Sequence, residues 1–145
     1  MYIFSAEWPE LAPFSTTLTV RITDVNYGEH LGNDALLGLA HEARMRFLAD
    51  RGCTEKDCGG GVGLIMRGLQ ARFVSQGMYG DVLGCAVGIV KEGRAGFTLG
   101  YRFTQEEGER VVAEVETEQL FFDYGRQRPA RTPASWRGSE LPKDP

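Results

Sequence analysis

The stretch from Thr23 to Asp34, TDVNYGEHLGND, gathers aspartate, asparagine, histidine and glycine at the junction between two regular patterns. A turn uses Asp, Asn and Gly for backbone reasons alone. It does not need an acid, an amide and an imidazole together. Asp24 is a carboxylate able to take a proton or to attack a carbon. Asn26 and His30 can hold a water or a polarised carbonyl oxygen. Tyr27 offers either a ring for packing at a pocket mouth or a hydroxyl donor. Asn33 and Asp34 open the following run, which is helical. A helix start supplies unpaired N–H groups and a partial positive charge of about half an elementary unit. Gly28 and Gly32 let backbone come close to a bound molecule.

Each of these residues also has an ordinary structural use. Asp24 can close an Asx-turn, and Asn33 can cap a helix. Asp34 suits a first helical turn in any protein. Glu42 stands four residues before Arg46 and can pair with it on the helix surface. His41 reads as an exposed helix-face residue. Asn26 and His30 have the weakest structural explanation, because neither a cap nor a turn requires both.

The elements that must position these residues follow from periodicity. TTLTVRIT alternates, with Leu18, Val20 and Ile22 facing one way, which predicts a half-buried strand over 16–23. NDALLGLAHEARMRFLADRG carries apolar residues at 36, 39, 40, 43 and 47, which predicts a largely buried helix over about 34–51. Asn33 or Asp34 is the expected N-cap and Gly52 the expected stop. Beyond Gly61 come four runs rich in Val, Ile, Phe and Tyr: VGLIMRGLQARFVS, VLGCAVGIVKEG, AGFTLGYRFTQ and RVVAEVETEQLFFDYG. The short turns KEGR and EEGE join the last three into an antiparallel meander. The Pro-rich tail reads as irregular over 134–145. One strand, one long helix and four long strands make an α+β chain, a five-stranded antiparallel sheet covered by a single helix. Gly68, Gly84, Gly88, Gly96 and Gly100 would help that sheet bend. No internal repeat or second domain shows over residues 1–145.

Composition excludes several classes. A net charge of -4 gives no reason to expect a nucleic-acid partner. No apolar run approaches the roughly 20 residues that span a membrane. MYIFSAEWPELAPF lacks the basic start and apolar core of a signal peptide. The 3 cysteines read as reduced thiols of a cytoplasmic protein. Cys85 lies in an apolar run and reads as core, and the Cys53–Cys58 spacing with only 2 histidines in the chain argues against structural zinc. No metal or cofactor is expected.

The order of elements with this junction resembles the hotdog-fold acyl-CoA thioesterases of the 4-hydroxybenzoyl-CoA thioesterase type, over residues 17–133. Members carry D-x-D-x-x-G-H-V-N-N before a helix containing E-A-R-x-x-F-L. Here the same places hold Asp24, Val25, Asn26, Tyr27, Gly28, Glu29, His30, Leu31, Gly32 and Asn33, then HEARMRFL. MYGDVL around Asp81 and FFDYGRQRPARTP at the end match the family's later turn and closing strand. The second aspartate of the motif is the family's base or nucleophile. Aligned on His30, that position is Asn26. The resemblance therefore leaves three carboxylates open: Asp24 on the loop, or Asp34 or Glu42 on the helix with Asn26 as partner.

The resemblance implies a sheet wrapped around the helix, hydrolysis of an acyl-CoA thioester, and a homodimer or tetramer. Asp24, Asn26 and His30 would be catalytic. Tyr27, Gly32, Asn33, Asp34 and Glu42 would bind substrate. Arg94, Arg126, Arg128 and Arg131 are candidates for the phosphates of coenzyme A. Two other readings fit the same residues. DVNYGEH is similar to the D-x-N-P-x-H motif of hotdog enoyl-CoA hydratases, without its proline and with one extra residue before the histidine. The fold can also bind acyl-CoA without turning it over.

Overall fold

The structure is a computed structural model, described here over residues 14–136. The first strand, β1, runs Phe14–Thr19 and ends earlier than its alternation suggests. A 3-10 turn at Ile22–Asp24 follows, so Leu18 and Val20 are buried while Ile22 turns outward. The helix α1 spans Asn33–Asp50. Its N-cap is Gly32, with no side-chain cap, rather than Asn33 or Asp34. At the other end Gly52 takes φ 73°, the left-handed stop that glycine provides without strain.

The four later runs are strands: β2 Val62–Phe73, β3 Val82–Glu92, β4 Gly96–Gln105 and β5 Arg110–Asp123. All pair antiparallel, in the order β1-β3-β4-β5-β2. Bulges at Met66/Gly68, Ile89/Lys91 and Phe103/Thr104 bend the ladder. Gly96 is required by close approach, since a methyl group there would collide with the Gln119 carbonyl. A sixth, two-residue strand, β6 at Arg128–Pro129, extends the sheet beyond the expected five by pairing with the end of β5.

Leu36, Leu39, Ala40, Ala43, Phe47 and Leu48 turn one face of α1 onto the sheet. They meet Leu83, Cys85, Val87, Leu99, Tyr101, Phe103, Val115 and Phe121, all at or near zero exposure. The opposite face, with Leu37, Gly38 and Met45, stays open, so the helix is half-buried and not largely buried. The tail is more ordered than its composition suggests. Ala134–Trp136 form a 3-10 turn, and Trp136 stacks on Phe97 at 5.0 Å between centroids. The rest of the expected irregular tail lies outside the described residues. Among the described residues no helix is long and apolar enough to cross a membrane.

Candidate active site

The 3-10 turn after β1 exists because Asp24 closes it. The Arg21 backbone N–H donates to Asp24 Oδ2 at 2.8 Å, and Arg21 Nε and Nη2 donate to the same carboxylate at 3.2 and 3.3 Å. Asp24 is buried, whereas Arg21 is open to solvent. Burial pushes the Asp24 carboxyl up, but the hydrogen bonds and charge of Arg21 outweigh it and hold the group below the usual carboxylate range. Asp24 is thus ionised at neutral pH. Its backbone carbonyl accepts from the Gly32 N–H at 2.9 Å, which ties the turn to the start of α1.

Between these two points the chain makes a small closed loop. Val25 bridges Leu31, and His30 bridges Met78. Asn26, which the sequence left with the weakest structural explanation, closes an Asx-turn. Its Oδ1 accepts from the backbone N–H of Gly28 at 2.9 Å and of His30 at 3.4 Å. Its N–H and C=O also pair with His30 and Glu29 backbone at 2.9 Å. Glu29 sits at φ 67°, in the left-handed region, at the place where the thioesterase motif has glycine. Tyr27 at the loop tip is fully exposed, 105% on the relative scale, and touches nothing that would fix its ring.

The start of α1 is bare. Gly32 has no side chain to cap the first turn, and its own N–H is already committed to Asp24. The donors free to face a ligand are therefore those of the first helical turn, from Asn33 onward, and not that of Gly32. Asp34 lies beside the same point, since a methyl group on Gly32 would stand 2.8 Å from Asp34 Oδ1. Asn33 and Asp34 are both exposed.

Asp24 opens onto a groove of about 470 Å³ along the open side of α1, walled by Thr17, Thr19, Ala35, Gly38, Glu42 and Arg46. Glu42 does pair with Arg46, at 3.2 Å to Nε, as its spacing suggests. Arg46 also donates to the Thr17 carbonyl at 2.9 Å. Two of the three candidate carboxylates thus share one groove. Asp24 is fixed and buried in it; Glu42 is half-exposed and neutralised on its rim.

The arginines divide. Arg94 and Arg131 line one pocket of about 450 Å³, floored by Phe97, Phe121 and Trp136. Arg126 leans instead on Asp123, at 3.9 Å, and Arg128 lies on β6. This pocket stands at the end of β3 remote from Asp24.

A buried polar chain under the helix was not anticipated. Arg44 donates to Glu55 Oε1 at 2.9 Å and to the Tyr101 hydroxyl at 3.2 Å. Tyr101 meets Thr117 Oγ1 at 2.8 Å, which also accepts from Gln119 at 2.8 Å. The signal was available: Arg44 falls four residues from Ala40 and Leu48, on the buried stripe of α1.

A bent antiparallel sheet packed on one helix, with an ionised acid beside the uncapped helix start, defines a hotdog-fold protein. The sequence model of the thioesterase-like superfamily matches residues 20–139, and the chain belongs to that family. Among solved structures it is similar to a 1,4-dihydroxy-2-naphthoyl-CoA thioesterase from Synechocystis, at 19% identity over 85% of this chain and 91% of that one, with TM-score 0.75. A Staphylococcus aureus protein in complex with CoA is similar at 18% identity over 84% and 77%, with TM-score 0.76. A DHNA-CoA thioesterase, also from Staphylococcus aureus, is similar at 14% identity over 81% and 78%, with TM-score 0.72. Identities this low establish the shared fold. A comparison with curated proteins finds no match.

Proposed function

We propose that the protein hydrolyses an acyl-CoA thioester, with Asp24 as general base or nucleophile. Membership of the thioesterase-like superfamily supports the reaction class over the hydratase alternative. The observation that carries the residue assignment is the pairing of a buried, ionised carboxylate with an uncapped helix start. Asp24 attacks the thioester carbon or takes a proton from water. First-turn N–H groups of α1 receive the developing oxyanion. The Asn26 amide nitrogen and the His30 ring are the remaining polar groups of the loop, able to orient water or substrate. Tyr27 covers the acyl or pantetheine portion, and Asp34 and Glu42 line the approach.

The working unit is a homodimer at least, in a cytoplasmic setting. Strand β2 is a sheet edge of 12 residues, and Met66, Leu69, Phe73 and Val74 along it and just past it are exposed. Such an edge is completed by a second copy. Antiparallel pairing of two β2 edges sets the Asp24 end of one protomer beside the Arg94 and Arg131 end of the other, where those arginines meet the phosphates of coenzyme A. Similar structures support the ligand class, since one holds CoA.

The test is thiol release across short, long and aromatic acyl-CoAs, with four variants compared. Asp24→Asn is expected to lower turnover by about 10²-fold or more while acyl-CoA affinity changes little, and Asn26→Ala to cost less. Full activity in Asp24→Asn together with its loss in Glu42→Gln or Asp34→Asn moves the base to the helix. Tight acyl-CoA binding without thiol release by any form, the unmodified protein included, ends the enzyme reading.

A further inference from the structure

We infer that Cys53 and Cys58 are a redox-active dithiol that closes into an intramolecular disulfide. The two residues lie within the loop that joins α1 to β2, over 51–61. Inside it, Thr54 and Asp57 exchange both backbone hydrogen bonds, N to O at 3.0 and 3.2 Å, around the two-residue turn Glu55-Lys56. Residues flanking such a pair stand directly opposite in the non-hydrogen-bonded register, where Cα atoms are about 4.5 Å apart. A disulfide needs Cα atoms within about 4.4–6.8 Å. The thiols are turned toward each other's segment: Cys53 Sγ lies 3.9 Å from the Cys58 carbonyl. Cys58 Sγ reaches back to the Thr54 carbonyl at 3.3 Å. Both are free thiols.

Their surroundings give them different parts. Cys53 is half-buried and lines a surface groove of about 310 Å³ with Asp50, Arg51, Ser135 and Trp136. Small oxidants reach it there. Cys58 is buried, and burial together with the Cys53 thiol pushes its pKa up to about 12. The oxidant is a low-molecular-weight disulfide. The Cys53 thiolate attacks one of its sulfurs, forming a mixed disulfide and releasing one thiolate. Cys58 then gives up its proton, attacks the Cys53 sulfur and expels the second thiolate. Two cysteine thiols are oxidised and one small disulfide is reduced to two thiols, which take up the two protons released. Cys85 takes no part, being fully buried in β3 with its pKa raised by burial.

The bond would fix the loop that holds α1 from outside. Glu55 at its turn pairs with Arg44 at 2.9 Å and His41 at 3.2 Å. Gly63 of β2 packs so closely on the same turn that any side chain there would collide with the Glu55 and Lys56 carbonyls. The Trp136 indole N–H and the Ser135 hydroxyl both donate to the Cys58 carbonyl, at 3.2 and 3.5 Å.

The experiment incubates the reduced, full-length protein with oxidised glutathione and follows it by thiol titration, mass spectrometry and thermal unfolding. The expected result is loss of two of the 3 titratable thiols, with Cys85 left. Mass falls by about 2 Da, after a transient glutathione adduct on Cys53. Trypsin cuts after Lys56, between the two cysteines, so the oxidised protein yields two peptides joined by a bond that a reductant separates. Tm rises by about 5 °C and returns on reduction. Cys53→Ser and Cys58→Ala each abolish the linked peptides and the shift in Tm. Retention of all three thiols, a disulfide joining two chains instead of one, or the same thiol loss in Cys53→Ser overturns the inference.

Discussion

At the scale of single residues, Asp24 is set apart from Asp34 and Glu42, the other two candidate carboxylates, by how it is held. Its ionised form is built into the turn by Arg21, and this fixes the sign of its pH dependence. A carboxyl whose folded pKa is depressed stabilises the fold above its unfolded value, about 3.9, and that stability disappears as pH falls through the lower folded value. Urea midpoints should therefore drop more steeply below about pH 4 in the unmodified protein than in Asp24→Asn, and less so in high salt, because Arg21 faces solvent. The acid limb of kcat/KM should lie below about pH 4 for the same reason. A limb above about pH 5 assigns the base to another group. Glu29 gives a second prediction. Its φ of 67° costs an L side chain about 1 kcal/mol, so Glu29→Gly should raise the unfolding free energy by about 0.5–1 kcal/mol in urea titration. The use of Asn26 was missed although its signal is local. An amide oxygen that accepts the N–H two residues on is the Asx-turn common to asparagine, and the fold adds only the longer contact from His30.

At the scale of elements, the strands and helix were legible because their signals are local. Val, Ile, Phe and Tyr runs bounded by QGMYGD, KEGR and EEGE became β2 to β5 within two residues of the expected ends. The errors fall where a specific side-chain contact, near or far in sequence, overrides the local pattern. Alternation through Ile22 promised one strand, but Asp24 capturing Arg21 curls the chain into a 3-10 turn. Pro-rich composition promised an irregular tail, but Trp136 finds a place against Phe97 and Phe121 that only the folded sheet provides. Arg44, to which the sequence reading gave no role, is the buried link from α1 to Tyr101. Arg44→Ala strands the buried Tyr101–Thr117 pair and frees Glu55, and is expected to destabilise by about 3 kcal/mol in urea unfolding. A surface substitution such as Arg128→Ala should change stability by no more than about 0.5 kcal/mol.

At the scale of the whole molecule, the proposed dimer rests on the long bare edge of β2, with its exposed apolar side chains. Leu69→Lys places a charge on that edge without touching the Asp24 turn. It should convert the particle seen by light scattering to one near the chain mass of 16.0 kDa and remove turnover as well. A variant that becomes monomeric and keeps full activity refutes the shared site. The separation of Asp24 from Arg94 and Arg131, at opposite ends of β3, has a consequence for mixtures. If each catalytic centre takes its carboxylate from one chain and its arginines from the other, Asp24→Asn and the double variant Arg94→Ala, Arg131→Ala are complementary lesions. Each alone makes a disabled homodimer. When the two are unfolded together and reassembled, a hybrid dimer concentrates both lesions in one centre and leaves its second centre intact, so activity reappears from two inactive preparations. With both groups drawn from the same chain, every centre in the hybrid keeps one lesion and the mixture stays silent.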